Sequence, residues 1–390
     1  MKHFLCILAA LLVLNFQAET VKNHSSLSGL PPFKNGSSPW TRMSFERIMS
    51  SKGVFFRGSA SMRSAVLNNR KFFGLPAVEM RASYASGDRL SRIDIVYANK
   101  GDSATQKKMS RTISRNAKEL ADTLTKLYGP PKRKDYGMKN MQTRVSYWNA
   151  EGAEFLLDFI RSEYVILHIN LEVQPLPGEK NEQSEKGGKD KDFSQYVKNN
   201  NFGDIFIPNI PMIDQGSKGY CVPATVERVL RYYGINDLNM HQLADKANTG
   251  KGGGTAVSNI ISALTPVCNA TGLKKVLTGD VRIQTVKRHI DRGIPLFWVM
   301  FTNPEYEEIR NLSRRERSKH TPKEWLKLTR KFKTPSRGGS HMCLIIGYNE
   351  KTDEIAVSNS WGDHEIPPSW VPVKIAKKVS QGRTFVLMPK

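Results

Sequence analysis

Residues Asp214 to Thr225 read Asp-Gln-Gly-Ser-Lys-Gly-Tyr-Cys-Val-Pro-Ala-Thr, and this stretch decides the fold of the C-terminal half. After it, Val226, Val229, Leu230 and Tyr233 recur at helical spacing until Gly234 supplies a stop. Cys221 therefore falls in the first turn of a helix, where Pro223 is tolerated because first-turn amides have no intrahelical partner to lose. Unpaired N–H groups and the helix dipole at that position favour a thiolate, so a lowered thiol pKa is expected. Gln215 lies six residues upstream across a glycine-containing loop. Its side-chain amide is placed to donate to a developing oxyanion, with the backbone N–H of Cys221 as second donor.

Two later stretches complete a constellation. Gly338-Gly339-Ser340-His341 leads into an apolar strand, Met342 to Ile346, that closes on Gly347-Tyr348-Asn349. A second strand, Ile355 to Ser358, ends in Asn359-Ser360-Trp361-Gly362. The polar turn between them predicts a hairpin that brings His341 and Asn359 to one end of the sheet. Asn359 would then orient the imidazole, with Trp361 shielding that bond from water. A nucleophile, a base and an orienter in mutual reach is the general logic of thiol catalysis. Each residue alone has a plain structural reading. Their combination in this order does not.

The Gln215-Gly216-Ser217-Lys218-Gly219-Tyr220-Cys221 stretch resembles the papain family's Gln-Gly-x-x-Gly-x-Cys pattern, and His341 with Asn359-Ser360-Trp361-Gly362 is similar to its second half. The flanks, Leu230 to Ile235 and the helix opened by Gly254-Thr255, look nearer the bacterial branch related to bacteriocin-processing (double-glycine leader) peptidases. The resemblance covers about residues 205–390. It implies an α+β papain-like cysteine peptidase domain that hydrolyses peptide bonds through Cys221, His341, Asn359 and Gln215. No cofactor and no metal is expected. Gly253, Gly254, Gly339 and Trp361 are assigned to the substrate cleft. Val222 stands where papain has Trp after the nucleophile, and Lys218 replaces a disulfide-forming Cys. Two rival activities use the same residues: a transpeptidase or amidase passing the acyl group to an amine, and a silent peptide-binding protein.

Outward from this domain, a chain of 390 residues suggests two domains. Residues 1–18 read as a secretory signal, with Lys2 and His3 before a short apolar run, which implies a secreted or periplasmic protein with no transmembrane segment. Residues 19–52, polar and rich in Ser, Asn and Pro, read as a flexible leader. Residues 53–173 form a separate small α+β domain of unread role. Strands are expected at 54–57, 77–84, 90–98, 143–149, 153–160 and 164–173, and a helix over 102–128. His168 stands alone in its strand and reads as a packed or half-exposed sheet residue. Residues 174–200 are a linker, and 201–390 the peptidase domain.

The net charge of +23, from 59 Lys and Arg against 36 Asp and Glu, attracts acidic partners without naming one. The densest run, within 310–333, is expected to offer an anionic-surface contact or a solvated basic face, with a short amphipathic helix after Pro322. No specific nucleic-acid contact is indicated, and a peptide or protein substrate is the expected partner. Gly250 to Thr255 lacks the ending of a phosphate loop. With the signal removed, Cys221, Cys268 and Cys343 remain; a Cys268–Cys343 disulfide and two buried thiols both stay open.

Overall fold

A computed structural model describes residues 28–33, 40–58, 61–102, 106–138, 141–171, 192–250, 253–333, 335–336, 338–362 and 365–390. The signal read at 1–18 and most of the expected linker lie outside these residues. The chain divides into two compact units, Met1–Tyr136 with Gln142–Asn181, and Gly137–Met141 with Glu182–Lys390. No described helix is long and apolar enough to cross a membrane.

In the first unit, helix α1 (Arg42–Ser51) precedes strands β1 (Arg57–Gly58), β2 (Met62–Val66), β3 (Glu79–Ala85) and β4 (Arg89–Asn99). Helix α2 (Gln106–Tyr128) follows, then β5 (Lys132–Tyr136), β6 (Thr143–Ala150), β7 (Ala153–Ile160) and β8 (Tyr164–Leu171). All pair antiparallel in the order β1-β2-β3-β4-β8-β7-β6-β5. Ile113, Leu120 and Leu124 of α2 are fully buried and share one apolar cluster with Ile93, Ile95, Phe155 and Leu167. The spacing of those helical residues, seven and four positions apart, puts them on one face.

Two expectations about this unit are corrected. Residues 42–51 are not a loose leader: Thr41 and Ser44 form a reciprocal cap, and Phe45 and Met49, one turn apart, are fully buried. Nor does His168 stand alone. It is fully buried, 2.7 Å from Asp94 through Nδ1 and 3.5 Å from Asp158 through Nε2, with Arg92 on the same nitrogen side at 2.8 Å. Alternation put a polar residue there, and only the cross-strand register His168↔Asp94 shows its partner.

The second unit begins earlier than expected. Phe193 is buried against the rings of Tyr232 and Tyr233, so the linker ends before it. Strands β9 (Lys198–Asn199) and β10 (Ile205–Phe206) lead to helices α3 (Cys221–Tyr232), α4 (Met240–Lys246) and α5 (Val257–Thr271). Then come β11 (Leu273–Gly279), α6 (Ile283–Ile290), β12 (Leu296–Thr302), α7 (Pro304–Glu316) and α8 (Pro322–Thr329). Strands β13 (Gly339–Asn349), β14 (Glu354–Ser358) and β15 (Ser369–Pro372), helix α9 (Val373–Val379) and β16 (Ser380–Pro389) close the chain. The sheet runs β9-β10-β13-β12-β16-β11, and β14 pairs with both β13 and β15. The expected hairpin is present as β13 and β14, with Leu344 opposite Ser358.

Part of the basic stretch is tied inward. Arg317 donates to both oxygens of Asp204 at 2.8 and 2.6 Å and to Glu354 at 2.9 Å. Its guanidinium lies between the rings of Phe202 and Trp370, 4.0 and 4.4 Å away. Trp325 of α8 donates to the same Glu354 at 2.7 Å. A buried Arg is tolerable only when its donors are met, as they are here. Arg315, Lys319, Lys323, Lys327, Arg330 and Lys331 stay exposed.

Candidate active site

Cys221 is the first residue of α3, preceded by Tyr220, which offers no side-chain cap. The thiol receives backbone N–H bonds at Met342, Val222 and Cys221 itself. Met342 follows His341 on β13, so the nucleophile's helix end lies against the strand that carries the base. Thr225 binds the Met342 carbonyl at 3.3 Å and fastens the same contact one turn further on.

The expected lowering of the thiol pKa is not found. Burial pushes the Cys221 thiol up, and the three backbone amides only oppose it. Cys221 does open the helix, but at this half-buried sulfur the cost of burying a charge outweighs what the helix end supplies. Cys268 and Cys343 are free, buried thiols rather than a disulfide. Burial raises both of them as well.

His341 is buried, and its Nε2 lies 3.0 Å from Asn359 Oδ1. Opposite an amide oxygen, Nε2 carries the proton and Nδ1 is left as the basic nitrogen. Burial lowers the imidazole pKa to about 4, the Asn359 bond and Glu365 raise it, and Arg310 lowers it further. The Trp361 ring lies 4.7 Å from the imidazole, tilted by 33°, and covers it as the sequence suggested.

Gln215 is held at three points. Its backbone N–H donates to the Ser360 carbonyl at 2.8 Å, its Oε1 accepts from the Ser360 hydroxyl at 2.7 Å, and its Nε2 donates to the Lys218 carbonyl at 2.8 Å. The second Nε2 hydrogen has no part in these bonds. Ser360 was quoted in the motif without a role; here it sets the orientation of the amide.

The glycines assigned to the cleft divide. Gly253 pairs as an isolated parallel bridge with Gly219, two residues before Cys221, and Gly254 N–H donates to the Gly219 carbonyl at 2.8 Å. At Gly253, assigned to the cleft, it is the chain's own backbone at Gly219 that approaches closely. A Cβ there would sit 2.2 Å from the Gly219 Cα, on a backbone at φ +107°. Gly253→Ala is therefore expected to destabilise the second unit by about 2–4 kcal/mol and to displace the loop before Cys221. Thermal melting, with the Cys221 alkylation rate read in parallel, checks this. Gly254 (φ +83°) and Gly339 face open space where a side chain would be, and Gly339 is exposed at the start of β13.

Arg228 escaped the sequence reading. Two turns along α3 from Cys221, it is buried and donates to the carbonyls of Pro211, Ser358 and Asn359 at 2.9, 3.2 and 2.8 Å, and to Ser358 Oγ at 2.6 Å. It joins the nucleophile's helix to the backbone of the orienter. No metal-holding cluster of His, Cys, Asp or Glu occurs among the described residues.

The Peptidase_C39 like family matches residues 207–376. No curated protein matches the chain. Among solved structures, the peptidase domain of Streptococcus ComA, a bi-functional ABC transporter involved in a quorum-sensing pathway, is 14% identical at a TM-score of 0.30, covering 46% of this chain and 98% of that one. Xylellain, a cysteine protease from Xylella fastidiosa, is 12% identical at a TM-score of 0.28, covering 55% of this chain and 95% of that one. The match to the Peptidase_C39 like family spans residues 207–376, which hold Gln215, Cys221, His341 and Asn359.

Proposed function

We propose that the second unit is a cysteine peptidase that hydrolyses peptide bonds outside the cytoplasm. The observation that carries this is the 3.0 Å bond between His341 Nε2 and Asn359 Oδ1 on the hairpin against which the Cys221 helix packs. Neither Cys221 nor His341 is drawn to its charged form in the free protein, so the resting pair is neutral thiol and neutral imidazole at pH 7. Nδ1 of His341 takes the thiol proton as sulfur attacks the peptide carbonyl, which makes it a general base in the attack itself. The oxyanion takes the Cys221 N–H and the second Nε2 hydrogen of Gln215, whose direction Ser360 and Lys218 set. His341 returns its proton to the leaving amine, and water then hydrolyses the thioester. The exposed cations from Arg315 to Lys331 offer a contact for an anionic surface.

The test is an alkylation time course at pH 7 with iodoacetamide, resolved by peptide mapping, run beside cleavage of a peptide library. Cys221 is expected to react about 10²-fold faster than Cys268 and Cys343. Library cleavage should stop when it is blocked. Equal reaction of the three thiols, or cleavage that survives the block, overturns the proposal.

A further inference from the structure

Next to the Trp361 ring lies a group of charges that the proposed chemistry does not use. Arg310, in the middle of α7, is fully buried. Its guanidinium carbon lies 5.3 Å from the centre of the Trp361 ring, the same ring that covers His341. Its three donor nitrogens are all engaged: Nη1 by Glu307, Nη2 by Glu365, and Nε by the Ser369 hydroxyl at 3.0 Å. Glu365, four residues after Trp361, is buried too and also takes Arg314. A buried carboxylate bound by two guanidinium groups forms charge-assisted hydrogen bonds of fixed geometry. Glu365, four residues after Trp361, is thus tied to α7.

We propose that Arg310 and Glu365 form a positioning pair for His341, their buried ion pair holding the Trp361 ring against the imidazole. This rests on the reading of His341 as the base. The pair is sharply placed for such a role. Arg310 opposes the imidazolium and Glu365 favours it, while Glu307 and Arg314 are bound to those two. The other ionisable groups packed here, Arg228 from α3 and Tyr306 from α7, act on Cys343, two residues along the strand from His341. The signs follow directly. Removing the Arg310 charge leaves Glu365 to stabilise the imidazolium, so the base stays protonated to higher pH. Removing the Glu365 charge leaves Arg310 unopposed, and the base gives up its proton at lower pH.

The experiment is the pH dependence of Cys221 alkylation by iodoacetamide, an uncharged probe, in the full chain. Wild type is compared with Arg310→Gln, Arg310→Lys and Glu365→Gln, with melting curves recorded for each. Gln removes the charge at either position; it matches Glu365 in size, whereas at 310 it is shorter and offers one donor nitrogen in place of three, which is why the charge-keeping Arg310→Lys is run beside it. The acid limb of the profile is expected to move up by about one pH unit in R310Q and down by about one in E365Q, the scale of one nearby charge. R310K, which keeps the charge, should hold the limb within about 0.3 unit. Limbs unchanged in both Gln variants, or moved in the same direction, overturn the pair as proposed. If R310Q does not fold, the E365Q shift alone decides by its sign. A wild-type profile with no acid limb is a different result: it removes His341 as base.

Discussion

Cys221→Ala is expected to lower peptide-bond cleavage by about 10⁶-fold, while the melting temperature stays within about 2 °C of wild type. The stability side follows from position. Cys221 is half-buried at a helix start, where its thiol takes backbone N–H bonds but fills no closed cavity, so alanine leaves little unsatisfied. The activity side follows from chemistry, since among the described residues no other thiol is placed to replace it. Cys343 is only two residues from His341, but it is fully buried within the sheet, and burial holds it protonated. Gln215→Ala should cost less, about 10²–10³-fold in kcat, because it removes one of two oxyanion donors. A graded series, with Cys221→Ala far below Gln215→Ala in kcat, separates a nucleophile from a stabiliser. Equal losses in both, accompanied by equal drops in melting temperature, would point to a collapsed site instead.

The parts of this site that were legible in the sequence are those written in short local strings. Gln215 to Cys221, His341 at a strand start and Asn359 before Ser360-Trp361 each carry their meaning within about a dozen residues, and turn chemistry predicts the hairpin that unites two of them. Helix α2 was legible because Ile113, Leu120 and Leu124 keep one period over a long segment. What was hidden has partners far along the chain. Arg310 meets Glu365 across 55 positions and Arg317 meets Asp204 across 113, so both looked like solvated charge in a basic run. Helix α1 was hidden by its polar neighbours, although Phe45 and Met49 do keep helical spacing. The direction of the Cys221 thiol shift was hidden for another reason. Motif reading locates the helix end, but only packing decides whether burial outweighs the dipole.

Arg228 is the hardest of these to see, because it recognises no side chain of opposite charge; three of its four acceptors are backbone carbonyls, which every sequence has. Arg228→Met keeps the aliphatic stem and removes every donor. The carbonyls of Pro211, Ser358 and Asn359 and the Ser358 hydroxyl would then lose their partner inside the protein. Each buried acceptor left unmet costs about 1–3 kcal/mol, so a loss of about 3–5 kcal/mol is expected after partial relaxation. For a unit of this size that is a melting temperature lower by about 6–20 °C. Denaturant titration of the variant gives the figure directly, and a loss under about 1 kcal/mol would show that water replaces the guanidinium. Activity adds a second readout. The Asn359 backbone is what Arg228 grips, and the Asn359 side chain orients His341, so kcat should fall even at temperatures where the variant is fully folded. Arg228→Lys separates the two contributions. It keeps the buried charge but has a single nitrogen to share among acceptors that Arg228 serves with three. If geometry is what matters, Lys should behave nearly as poorly as Met in kcat. If the positive charge beneath the site is what matters, Lys should restore it.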